Sequence, residues 1–351
     1  LLLFPVSAVH AASLYPHSYH VQRHYIGSDV VPPVDTDEVF FAVKRQPFWA
    51  GEGTVISVWD QGASMRRGIT LADGVVLCAG RVSGSSLVVL REQDNTTQFA
   101  TIDTALTVEH VTVLPEQFFV PRTAVCRLLT LSTDHFLALL NGVLLYGQVG
   151  AENIEWRPVA AGVKDICLLT DPVSRKATGY AYASYSNRGT DLVMCDLFGT
   201  VLSTTVLQTQ EILRLQPISA RAVVVLEELA ASSAVTIVEQ DGIQTKLFLP
   251  ASYEAIAIER GSDGGYILRY LTDDRTGMQI QRGTVNRGGA RFQITETVIV
   301  PDFFINLLRL RHIGGMTYGV FQNGLLTLDK DGEILSADRI NFHIDEDVYP
   351  D

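Results

Sequence analysis

The sequence predicts an all-β fold in which one antiparallel strand unit repeats along the chain. Three observations carry this prediction. Gly, Pro, Asp and Asn punctuate the whole length, and the runs between them are short and rich in Val, Ile, Leu, Thr, Phe and Tyr, which is the strand signature. No stretch sustains a helical apolar period over a dozen residues or so. Thr205 to Leu215 comes nearest, but it breaks at Pro217 and reads as well as two strands. The third observation is that strand types recur at a regular distance.

The elements follow in chain order. Residues 1–34 form an arm with little alternation, carrying Tyr15-Pro16, Tyr19, Tyr25 and Pro32-Pro33. Its first twelve residues, Leu1 to Ala12, resemble the apolar end of a secretion signal with a Val-His-Ala cleavage site, and they are too short to span a bilayer. Residues 35–351 carry the repeats. Strands near Val39–Val43, Thr54–Trp59 and Arg67–Leu71 supply most of a first unit, and Gly74–Val113 supplies a second. One strand type then recurs around Arg127, Leu168, Arg214, Ile258 and Arg309, at separations of 41 to 51 residues. A second apolar strand follows each copy. A third then runs into a tight turn, as at Asp196-Leu197-Phe198-Gly199, Gln240-Asp241-Gly242 and Lys330-Asp331-Gly332. Asp-Gly between alternating apolar runs predicts type I′ hairpins, which need positive φ at both central residues.

This spacing resembles the four-stranded blade of β-propellers. Val55-Ile56-Ser57-Val58-Trp59-Asp60 is similar to the Trp-Asp turn of WD40 repeats, in one copy only. The resemblance covers Val39 to Ile344 and points to no particular family. It implies a closed propeller of about seven blades, or six if the N-terminal strands pair elsewhere. Closure is expected through Arg339–Ile344, supplying the missing innermost strand of the first blade and removing an aggregation-prone edge.

Composition bounds the function. Hydrophobic residues make up 47% of the 351 residues, enough for a sizeable core. The net charge of −12 excludes a general nucleic-acid binder, which needs a basic face to neutralise phosphates. Cys78, Cys126, Cys167 and Cys195 show no metal or redox spacing and lie in apolar runs, so they read as small buried hydrophobes.

Catalytic patterns are not met. Gly80-Arg81-Val82-Ser83-Gly84 has the wrong spacing for a nucleophile elbow, and Gly51-Glu52-Gly53 lacks the remainder of a dinucleotide loop. Asp329 and Asp331 read as a hairpin turn rather than a calcium loop, and Asp35, Asp37 and Glu38 as a solvated loop. His10, His17, His20 and His24 in the arm, with Pro16 among them, do not read as a metal site. His135 and the other scattered histidines show no companion carboxylate or nucleophile. Asn95-Thr96-Thr97 is a glycosylation sequon on a predicted turn, read as a chance occurrence. Aromatic doublets at Phe40-Phe41, Phe48-Trp49, Phe118-Phe119 and Phe303-Phe304 put one ring on each face of a strand, one for the core and one for a neighbour or partner.

The expected function is therefore a non-enzymatic protein–protein interaction scaffold, a subunit of a larger assembly, with no cofactor and no metal. Its partners are expected to be other protein subunits, met in part through residues 1–34. The apolar N-terminus favours an extracytoplasmic or membrane-associated setting. The alternative is a propeller hydrolase, or a glycan or small-molecule binder with its site at the channel mouth. Arg127, Arg214 and Arg309 occupy matching places of the recurring first strand and are the candidate binding residues. Each must meet water, an acid such as Glu211, Glu228 or Glu259, or a bound anion.

Overall fold

The computed structural model describes residues 28–31, 39–45, 54–60, 65–71, 75–83, 86–103, 105–120, 126–171, 176–187, 189–208, 214–229, 232–251, 255–274, 277–305, 307–313, 316–321 and 323–339. These residues form seven four-stranded antiparallel sheets. The first holds β1 (Ser28–Val31), β2 (Val39–Arg45), β3 (Thr54–Asp60) and β4 (Met65–Leu71). The second holds β5 (Val75–Ser83), β6 (Ser86–Gln93), β7 (Thr96–Asp103) and β8 (Val108–Val113). The third holds β9 (Cys126–Thr130), β10 (His135–Leu140), β11 (Val143–Val149) and β12 (Ile154–Ala161). The fourth holds β13 (Val163–Thr170), β14 (Ala177–Ser186), β15 (Gly189–Asp196) and β16 (Val201–Leu207). The fifth holds β17 (Arg214–Ser219), β18 (Ala222–Leu229), β19 (Ser232–Glu239) and β20 (Gln244–Leu249). The sixth holds β21 (Ile256–Arg260), β22 (Tyr266–Asp274), β23 (Gly277–Val285) and β24 (Gln293–Ile299). The seventh holds β25 (Leu307–Ile313), β26 (Met316–Phe321), β27 (Gly324–Leu328) and β28 (Ile334–Arg339). Strand order follows chain order in every sheet, the meander of a propeller blade. The fold is all-β, with a 3-10 turn at Glu116–Phe118 and no α-helix among the described residues.

The expected closing strand is not what completes the first sheet. Ser28–Val31, at the end of the arm, pairs with β2 through Val31 opposite Phe41, while Arg339 ends β28 opposite Gly324 in the seventh sheet. Each terminal sheet thus draws four strands from its own stretch of chain. The remainder of the arm, residues 1–27, and residues 340–351 lie outside the described residues, as does Phe48-Trp49.

Two compact units divide the chain, residues 1–168, 177–201 and 206–208, and residues 169–176, 202–205 and 209–351. In the first, β5 runs beside β9; in the second, β17 runs beside β21 and β21 beside β25. The first strand of a sheet is therefore its inner edge. The fourth is its exposed outer edge, as the mostly exposed β24 shows. In the first unit Phe99 and Phe136 meet edge to face, with ring centres 5.1 Å apart, over a core that includes Val88, Leu90, Leu128 and Leu145. In the second, Leu226, Ile237, Tyr266, Leu268 and Phe321 belong to one core cluster. All four cysteines are free and buried, and burial pushes the Cys167 thiol up to about 12.

Gly147 of β11 has no side chain because Phe136 fills that space. A Cβ there would clash with the ring, 2.6 Å from Cε1. Gly147→Ala is expected to destabilise the fold by about 1–3 kcal/mol through overpacking, measured as a lowered urea midpoint.

The Asp-Gly turns differ from expectation. Gly332 (φ 80°), Gly242 (φ 86°) and Gly199 (φ 91°) are left-handed, but the residues before them are not. Gly332 N donates to Asp329 O and Asp329 N to Glu333 O, at 3.2 and 3.0 Å. This is the longer hairpin loop with one left-handed glycine, which uses the same dipeptide. The Asp329 carboxylate spends itself on the turn, accepting from Asp331 N (2.8 Å) and Glu333 N (2.9 Å). Type I′ geometry occurs instead at Asn141-Gly142 and at Asp94-Asn95, where both residues have positive φ. Thr205 to Leu215 is two strands: β16 ends at Leu207, β17 begins at Arg214, and Pro217 sits at a bulge on an edge strand.

Candidate functional site

The three recurring arginines all lie on first strands. Arg127 of β9 stands opposite Leu139, Arg214 of β17 opposite Leu226, and Arg309 of β25 opposite Val320. The Arg127 guanidinium forms an ion pair with Asp165 of β13 and donates from Nη1 to Ile166 O at 3.0 Å. Both side chains are largely buried, 13% and 6% exposed. Asp165, which the sequence did not single out, is therefore a partner of Arg127. Glu259 serves Arg269 instead, at 2.7 Å, and Arg269 is itself 3% exposed. Asp165 opens the next copy of the repeat, and that position was the signal available in the sequence.

The aromatic doublets in described loops do split one ring in and one ring out, but on connectors between sheets rather than within strands. At three places the fourth strand of a sheet ends on, or one residue before, a buried apolar residue that precedes proline: Leu114-Pro115, Leu249-Pro250 and Val300-Pro301. Proline donates no hydrogen bond to a ladder, so it helps end the strand. A turn follows at two of them, with Phe118 N on Pro115 O (2.9 Å) and Phe304 N on Pro301 O (3.1 Å). Phe118 packs edge-on against Trp156 at 5.1 Å, leaving Phe119 39% exposed. Phe304 is buried and stacks on Phe321 at 4.4 Å, leaving Phe303 37% exposed. These loops are pinned by side chains. Val120 N donates to Thr97 Oγ1 at 2.8 Å; Ile305 N donates to Asn323 Oδ1 at 2.8 Å; Asn323 Nδ2 donates to Phe303 O at 2.6 Å.

In a meander the connector enters at the same end of the sheet as the hairpin between its second and third strands. Tyr185, near that end of β14, is likewise exposed, with Lys164 Nζ 4.3 Å from its ring centre. Half-exposed aromatics are enriched in protein interfaces generally. In the sequence, the apolar-Pro pair ahead of each doublet was the mark of a connector.

Two polar clusters lie near the opposite ends of their sheets. Glu239 of β19 accepts from Tyr266 Oη (2.5 Å), Arg287 Nε (2.7 Å) and Arg260 Nη1 (3.3 Å), and Arg287 also pairs with Asp241. Burial pushes the Glu239 carboxyl up, but the Tyr266 hydroxyl and the two guanidiniums outweigh it and hold it below its ordinary value. This cluster ties the fifth sheet to the sixth.

The other is Ser132, Asp134 and His135, in the turn between β9 and β10. Contrary to the sequence reading, His135 does have a carboxylate and a hydroxyl beside it. Asp134 Oδ1 lies 2.7 Å and Ser132 Oγ 3.1 Å from its Nδ1. Both address the same ring nitrogen, so the imidazole cannot relay a proton between them, as a hydrolytic triad requires. Ser132 Oγ also lies 3.2 Å from His135 N, which is the geometry of a side-chain-closed turn. Among the described residues no group of His, Cys, Asp and Glu is arranged to hold a metal ion.

No protein-family pattern matches the chain, and no curated protein sequence matches it. Solved structures do. The Dos1 propeller has a TM-score of 0.58 at 9% identity, covering 90% of this chain and 86% of that one. Hsv2 from Kluyveromyces lactis has a TM-score of 0.52 at 8% identity, covering 90% and 100%. Hsv2 from Kluyveromyces marxianus has a TM-score of 0.51 at 7% identity, covering 86% and 95%. At these identities the likeness shows the propeller fold alone.

Proposed function

We propose that this chain is a non-enzymatic protein-interaction scaffold that works as a subunit of a larger assembly. The observation that carries the reading is the pair of pinned connectors, each packing one phenylalanine, Phe118 or Phe304, against the core and leaving its neighbour, Phe119 or Phe303, half-exposed. A rigid aromatic gives contact area at little entropic cost, which is why such residues anchor interfaces. A propeller supplies a stiff frame with many loops, which suits docking. The arm, residues 1–34, is proposed as a further attachment to other subunits, through the part that precedes β1.

Phe119→Ser and Phe303→Ser, together, are expected to leave the melting temperature within a degree or two, because each ring is partly in water. They should reduce recovery of stoichiometric partner subunits from the native assembly at least tenfold. Unchanged partner recovery refutes the reading. Arg127→Met and Arg214→Met belong in the same experiment. If the recurring arginines, Arg309 included, hold an acidic partner segment, binding falls while stability holds. The Arg127–Asp165 pair supports a structural role at that position.

A further inference from the structure

Seven sheets have seven outer strands, and six of these carry ionisable side chains. β4 has Arg66 and Arg67, β8 Glu109 and His110, β12 Glu155 and Arg157, β20 Lys246, β24 Glu296, and β28 Asp338 and Arg339. Such charges are the usual protection of an edge, whose unpaired N–H and C=O groups otherwise template another strand. The outer strand of the fourth sheet differs. β16 reads Val-Leu-Ser-Thr-Thr-Val-Leu, with no charge, proline or glycine. It is the last strand of its sheet. Val201 is 56% and Leu202 44% exposed, and Phe198, in the turn just before, is 78% exposed.

The order of residues in β16 is nearly the same read in either direction. Two apolar residues, three hydroxyl residues and two apolar residues follow one another. Laid antiparallel on a second copy with Thr204 on the axis, Val201 meets Leu207, Leu202 meets Val206, and Ser203 meets Thr205. In this register apolar positions stand opposite apolar ones and hydroxyls opposite hydroxyls, as in stable antiparallel ladders; Thr205 and Leu207 are buried in their own chain, and the exposed side chains are Val201, Leu202 and Thr204. A two-fold interface requires this self-complementarity. Charge points the same way. Each copy carries −12, so two copies associate most readily through a neutral strip.

We propose that the chain self-associates by pairing β16 of one copy with β16 of another, edge to edge and antiparallel, about a two-fold axis through Thr204. Light scattering on the purified chain tests this at concentrations up to about 100 µM, where even a modest interface registers. The wild type is expected to dimerise. Thr204→Lys puts two like charges opposite each other and should weaken the dimer at least tenfold. Thr204→Glu should do the same. An equimolar mixture of the two variants should recover a one-to-one heterodimer, because the charges then face as opposites. Thr204 is exposed, and matching melting curves confirm that the variants fold. A monomeric wild type overturns the proposal, as does a dimer indifferent to Thr204→Lys. Failure of the mixture to re-form a dimer overturns the axis through Thr204.

Discussion

Asp165→Ala is expected to lower stability by roughly 3–5 kcal/mol, because it removes the carboxylate that balances the Arg127 charge in a largely dry setting. Asp165 is 4% exposed on β13, and Arg127 reaches it from β9, so the pair joins the inner strands of the third and fourth sheets. Burying both charges cost solvation when the fold formed. Removing one leaves that cost without the attraction that offset it. An apolar replacement of both, Arg127→Met with Asp165→Leu, should therefore be more stable than either single variant. Urea unfolding followed by tyrosine and tryptophan fluorescence gives the comparison. A loss under about 1 kcal/mol for Asp165→Ala would show that water reaches the pair and screens it.

Glu239→Ala is expected to cost about 2–4 kcal/mol, less than Asp165→Ala, because Arg260 and Arg287 are each 38% exposed and recover some hydration. Its effect should also depend on pH. The folded carboxyl lies below its ordinary value of 4.5, so the unfolded chain binds the proton more readily. The stabilisation is then fully present above about 4.5 and is lost as pH falls through the lower folded value. Wild type and Glu239→Gln should thus differ most near neutral pH and converge as the solution is acidified. A difference that grows on acidification would contradict the depressed carboxyl. Tyr266 moves the opposite way, its hydroxyl pushed up by burial and by the carboxylate it donates to.

The strands were legible because each is a short apolar run between turn residues, and the blade count followed from the recurrence of such runs. Ser28–Val31 was not legible. It is four residues long, follows a sequence with little apolar alternation and runs into Pro32-Pro33, so local pattern gives it no weight against the longer Arg339–Ile344. The Asp-Gly turns were located correctly and typed wrongly, since the same dipeptide serves both the type I′ loop and the longer loop with one left-handed glycine. Phe118-Phe119 and Phe303-Phe304 were legible as places where one ring must leave the core. The pinning of their connectors was hidden because the pins, Thr97 and Asn323, lie about twenty residues away in sequence. The arginine repeat was legible as a repeat. The partner of Arg127 was not, because Asp165 lies 38 residues on and only the packing of neighbouring sheets brings the two together.

The placement of the buried thiols turns the chain into its own stability gauge. Cys78, Cys126, Cys167 and Cys195 lie on β5, β9, β13 and β15, all within the first compact unit, and the second has none. A thiol that is shut away and held protonated, as Cys167 is, reacts with an alkylating reagent only when its surroundings open. The rate of alkylation in native buffer therefore measures transient opening of one half of the molecule, strand by strand, without any introduced label. Cys167, two residues from Asp165 on β13, reports on the strand that carries the inner-strand ion pair.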